Sequence, residues 1–139
     1  MILLDSSGLL AALVATQHLH EQAVEALAAA ERPLVLSAFV LAEVDYFVTR
    51  WGGIAAEAAL LDEVARGVYS LAEFEAGDVG EAATVIDAHS RLKIGLADAS
   101  IIVLAGRYGT NRVLTLDERH FRALRTPAGE RFTILPADA

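Results

Sequence analysis

Apolar residues follow two rhythms along this chain. Short unbroken runs, Ile2-Leu3-Leu4 and Leu34-Val35-Leu36 among them, are bounded by polar or turn-forming residues. That is the pattern of strands buried on both faces. Between them lie longer stretches with apolar positions three and four apart, the pattern of helices that bury one stripe. Ser6 and Ser7 can cap the first such helix, which carries Leu9, Leu10, Leu13 and Val14. A second helix is expected over 18–31, ended by Pro33. A third fits 39–50, closed by Gly52-Gly53, and a fourth fits 54–66, ended by Gly67. Strands are expected at 34–37, 68–72, 112–116 and 132–135. Helices are expected at 78–92, at 97–108 before Gly109, and at 118–124.

Strands alternating with helices imply a mainly parallel sheet covered on both faces. With no internal repeat, low-complexity tract or linker, residues 1–139 read as one α/β domain of three α/β/α layers. Its core must be aliphatic, because 55% of residues are hydrophobic and only 6% aromatic. Cysteine is absent, which excludes disulfides, thiolate catalysis and Cys-ligated zinc and suits a reducing cytoplasm. Asp5 interrupts the first apolar run too early for a signal peptide, and no run is long enough for a membrane span.

The net charge of −8 suits a nucleic-acid enzyme poorly, since phosphate binding relies on Lys and Arg. The charge is unevenly spread. Residues 1–90 carry 3 basic and 14 acidic side chains, a balance of −11, whereas 91–139 carry 8 basic and 5 acidic, a balance of +3. A local basic rim is therefore possible, and Arg91, Lys93, Arg112, Arg119 and Arg122 are the candidates for contacting RNA.

Four carboxylates carry the candidate chemistry. In open parallel sheets, sites gather outside the carboxyl ends of the strands. Asp5 ends the first strand and Asp117 follows the 112–116 strand, so both belong on one rim. Glu43 shares a helix face with Phe39, Val40, Val44 and Phe47, where an uncompensated carboxylate is costly. Asp98 opens the 97–108 helix. Each has a plainer reading taken alone: a turn residue, a helix cap, a snorkelling surface Glu, a carboxylate favoured by the helix dipole. Taken together, acids without His or Cys describe a Mg²⁺ or Mn²⁺ site for phosphate chemistry.

Four segments carry a family resemblance: Ile-Leu-Leu-Asp-Ser-Ser-Gly-Leu-Leu-Ala (2–11), Leu-Ala-Glu-Val-Asp-Tyr (41–46), Gly-Leu-Ala-Asp-Ala-Ser-Ile (95–101) and Val-Leu-Thr-Leu-Asp-Glu-Arg-His-Phe (113–121). In this order and spacing the chain resembles the PIN-domain ribonucleases, most closely the VapC-type toxins of bacterial toxin–antitoxin pairs. The resemblance implies a PIN-like fold with Asp5, Glu43, Asp98 and Asp117 as its acidic quartet. It places Ser6 and Thr115 as hydroxyls supporting the first and last acids. It further implies Mg²⁺- or Mn²⁺-dependent endonucleolytic hydrolysis of RNA, a homodimer, and a VapB-type antitoxin whose C-terminal segment fills the active-site groove.

The competing reading is a non-catalytic PIN-like module that binds RNA or protein, although such a module gains nothing from mutually repelling acids. A phosphotransfer receiver domain would want paired acids at the first strand, and a haloacid-dehalogenase-type phosphatase a second Asp at position 7, which is Ser. The histidines receive no ligand role. His18 and His20 read as exposed polar residues, His89 as partly buried, and His120 as a helix-surface residue near Asp117.

Overall fold

A computed structural model describes residues 1–139. Five short strands, β1 (Ile2–Leu4), β2 (Leu34–Leu36), β3 (Ser70–Leu71), β4 (Arg112–Leu114) and β5 (Thr133–Leu135), form one wholly parallel sheet in the order β3-β2-β1-β4-β5. Helices α1 (Ser6–Leu13), α2 (His20–Ala29), α3 (Ala38–Ala65), α4 (Ala76–Ala88), α5 (Leu96–Tyr108) and α6 (Glu118–Ala123) connect them. The α/β architecture expected from the apolar pattern is the one found.

Burial follows the two rhythms. All of β1 and β2 is buried, and so is every residue of α5 from Ala99 to Ala105. That explains why α5 looks apolar all round rather than striped. Gly109 closes α5 in the left-handed conformation that favours glycine. The two helices expected over 39–50 and 54–66 run end to end as α3, broken at Gly53, whose φ of 80° no helix accommodates. The 78–92 helix is shorter than expected. It starts at Ala76 on a reciprocal cap between Glu75 and Asp78, and stops at Ala88.

Strand order sets the position of the site. The chain lays β1, β2 and β3 outward in one direction, then returns to place β4 on the other flank of β1. The order therefore reverses between β1 and β4, the crevice where open parallel sheets bind ligands. The segments following β1 and β4 and the start of α5 all lie at this edge.

Candidate active site

Asp5 follows β1 directly, and its amide donates to the Leu114 carbonyl at 3.0 Å, so the ends of β1 and β4 are fastened together. Its side chain is buried, with only 5% of the residue exposed. Oδ2 accepts from Thr115 Oγ1 at 2.6 Å and from Ser7 Oγ at 2.9 Å. Burial pushes the Asp5 carboxyl above its usual range, and these two hydroxyls oppose the rise.

Thr115 and Ser7 act as a joint. Thr115 Oγ1 also accepts from the Asp117 amide at 2.9 Å, and Ser7 Oγ accepts from the Leu116 amide at 2.9 Å. The loop leaving β4 is thereby wrapped onto the first turn of α1. Gly8 permits this approach. A methyl at its position would overlap the Leu114 carbonyl and lie 2.7 Å from the Thr115 nitrogen. Hydroxyl support for the first acid, expected from Ser6, comes from Ser7 and from Thr115, the residue expected beside the last acid; Ser6 contributes its backbone amide. The Ser6 hydroxyl instead donates to Glu43 Oε1 at 2.6 Å.

Asp117 stands at the N-cap of α6, where Oδ1 accepts the His120 amide at 3.0 Å. Asp98 lies in the first turn of α5. Its carboxyl is pushed up to about 6, first by burial and then by the charge of Asp5; His120 opposes this, and Asp117 adds to it. Three aspartates from three segments thus share one electrostatic neighbourhood. A buried hydroxyl pair, Ser37 and Ser100 at 2.7 Å, fastens the start of α3 to α5 behind it.

Glu43 differs from expectation. Val40 and Val44 are buried, but Glu43 is exposed, so its carboxylate never enters the apolar face. It is held by Ser6, the residue that follows Asp5 in the chain. His120 also differs. Its Nδ1 lies 3.1 Å from Asp98 Oδ2 and 3.0 Å from Asp117 Oδ2, inside the acidic group rather than on an outer helix surface. Spacing gave one signal for this, since positions 117 and 120 lie one helical turn apart.

The donor set is all carboxylate and hydroxyl apart from His120, and none of the ion pairs brings Lys or Arg to Asp5, Asp98 or Asp117. Hard divalent cations suit such a set. No three His, Asp or Glu side chains stand in ligating arrangement, however; Asp98 and Asp117 are turned toward His120.

Of the arginine candidates, one lies at the other edge of the sheet and one is engaged in ion pairs. Arg112 opens β4, and in a parallel sheet that is the edge opposite the acids; it borders a hollow with Met1, Ala29 and Glu31. Arg122 commits its guanidinium to Glu118 at 2.9 Å and Asp138 at 2.7 Å. Arg91, Lys93 and Arg119 are exposed, and lie in the segment entering α5 and in the first turn of α6, both at the acidic edge.

Residues 2–126 match the sequence model of the PIN domain. The chain is 42% identical to Ribonuclease VapC26 of Mycobacterium tuberculosis (strain ATCC 25618 / H37Rv) over 135 residues, 97% of this chain and 100% of that protein. Among solved structures, it is similar to VapC20 of Mycobacterium tuberculosis, a toxin that cleaves the sarcin–ricin loop. That match has a TM-score of 0.78 and 20% identity, covering 84% of this chain and 90% of the other. It is also similar to a chain of the VapBC2 complex of Rickettsia felis bound to a promoter DNA fragment. There the TM-score is 0.67 and the identity 19%, covering 96% of this chain and 98% of the other.

Proposed function

Because this chain belongs to the PIN-domain family and is a homologue of the VapC ribonucleases, we propose that it is a divalent-metal-dependent endoribonuclease, the toxin of a toxin–antitoxin pair, acting in the cytoplasm. The observation that carries this reading is the meeting of Asp5, Asp98 and Asp117 at the β1–β4 crevice with no Lys or Arg paired to them and a single histidine among them. A non-catalytic binding module would have no use for three acids gathered around one histidine.

Asp5, Asp98 and Asp117 would hold Mg²⁺ or Mn²⁺, with Glu43 closing the site from the rim. The ion supplies positive charge at the scissile phosphodiester. Thr115 and Ser7 keep the Asp5 carboxylate aimed, and Ser6 keeps Glu43 turned toward the site. Arg91, Lys93 and Arg119 are the proposed phosphate contacts, since they are exposed at the acidic edge and form none of the ion pairs. No helix is long and apolar enough to cross a membrane.

VapC26 is named a ribonuclease, VapC20 cleaves the sarcin–ricin loop, and VapBC2 is bound to a DNA fragment from its promoter. By analogy, RNA is the proposed substrate and a VapB-type antitoxin the proposed partner, with a homodimer as the working assembly. The exposed Tyr46, Trp51 and Ile54 along α3 offer apolar surface for such contacts. Expression of this chain alone in bacteria is the test. Wild type should arrest growth, Asp5→Asn should not, and an antitoxin encoded beside it should restore growth. Harmless accumulation of folded wild-type protein would refute the toxin assignment.

A further inference from the structure

His120 holds Asp117 at both carboxylate oxygens. Its backbone amide donates to Oδ1 at 3.0 Å, and its ring Nδ1 lies 3.0 Å from Oδ2. The same Nδ1 lies 3.1 Å from Asp98 Oδ2. When both carboxylates are ionised, as at neutral pH, they only accept, and the tautomer with hydrogen on Nδ1 shares it between the two acids. The ring cannot drift easily. Only 20% of the side chain is exposed, and the adjoining Phe121 is buried edge-to-face against Phe132.

The oxygens that His120 engages are two of those a cation would need. A donor hydrogen takes up one lone pair of each oxygen and draws off its negative charge, so it competes with a cation for them. We infer that His120 is a positioning residue that bridges Asp98 and Asp117 and competes with a divalent ion for their carboxylate oxygens. This rests on the metal-site reading above. Two consequences follow. Without the bridge, ion entry no longer competes with a charge-assisted hydrogen bond. The cation-free protein also loses the one group that bridges two of its repelling acids.

Manganese binding measured by calorimetry at fixed neutral pH tests this, paired with thermal unfolding in EDTA. His120→Ala and His120→Leu both remove the donor, and the pair guards against one of them failing to fold. His120→Asn keeps an N–H near the Nδ1 position. The donor-free variants should bind Mn²⁺ about tenfold more tightly than wild type, the scale of one hydrogen bond to a charged group. In EDTA they should melt at lower temperature. His120→Asn should stay close to wild type in both respects. Mn²⁺ affinity unchanged or weakened in the donor-free variants, with wild type binding normally, would overturn the bridging role alone. Failure of wild type to bind Mn²⁺, or undiminished binding by Asp98→Asn, would overturn the metal site and the bridging role together.

Discussion

Thr115 donates its hydroxyl to Oδ2 of Asp5 at 2.6 Å, joining the ends of two adjacent strands across 110 positions of sequence. The bond is buried, and the Thr115 hydroxyl oxygen accepts in turn from the amide of Asp117. Thr115→Val keeps the shape and removes the donor and acceptor together. A buried group left unsatisfied costs about 1–3 kcal/mol. Urea unfolding should show a loss of that size, and cleavage should fall as well, because Asp5 loses its strongest support.

Gly8 makes the close contact between α1 and β4 possible, and the obstacle to a larger residue is backbone rather than a side chain that could move. Gly8→Ala should therefore destabilise by at least the roughly 1–3 kcal/mol typical of overpacking. Thermal unfolding reads this directly. A neutral effect would mean that the ends of β1 and β4 are less tightly joined than described.

Stability should depend on pH in opposite senses at two places. The folded-state value for Asp98 is about 6 against an ordinary 3.8, so between these values the folded protein holds a proton that the unfolded chain has released. Stability then falls as pH rises through that window, and the raised Asp5 acts in the same sense. Asp138 is held below 3.8 by Arg122 and the Ile134 amide. Its contribution is present above 3.8 and is lost as pH falls through its lowered value. In EDTA the protein should melt higher at about pH 5 than at about pH 7.5. Asp98→Asn should flatten that difference.

The arginines can be separated by salt dependence. A residue that neutralises one phosphate contributes about one unit to the slope of log affinity against log salt. Arg119→Ala or Lys93→Ala should weaken RNA binding several-fold and make the slope shallower. Arg112→Ala, at the far edge, should alter neither. Binding of a single-stranded RNA by catalytically inactive Asp98→Asn protein, titrated over a range of salt, distinguishes them.

Much of this was legible in the sequence. The runs at β1 and β2 and the apolar stretch of α5 are long enough or pure enough to fix their type. Asp5 and Asp117 could be placed on one rim because strand direction is set by the parallel sheet. The same reasoning would have excluded Arg112, which begins the strand that Asp117 follows. Glu43 misled because helical periodicity gives a face but not its depth: Val40 and Val44 are buried while Glu43 stays at the edge. The exchange of roles between Ser6 and Ser7 depends on the direction in which adjacent side chains leave the first turn of α1, which one residue of phase reverses. His120 could be placed beside Asp117 by its three-residue spacing. Its contact with Asp98 depends on tertiary packing of α6 against α5 and has no local signature.

The three aspartates and Glu43 are proposed to form one metal-dependent RNA-cleaving site. The decisive measurement is cleavage of a single-stranded RNA by purified protein in Mg²⁺ or Mn²⁺ and in EDTA, for wild type, Asp5→Asn, Glu43→Gln, Asp98→Asn and Asp117→Asn. Charge stabilisation by a bound ion is worth several kcal/mol, so EDTA and each folded Asp variant should lower the rate on the order of a hundredfold or more. Glu43→Gln should reduce it as well. Cleavage that continues at the wild-type rate in EDTA, or in folded Asp98→Asn protein, would contradict the account.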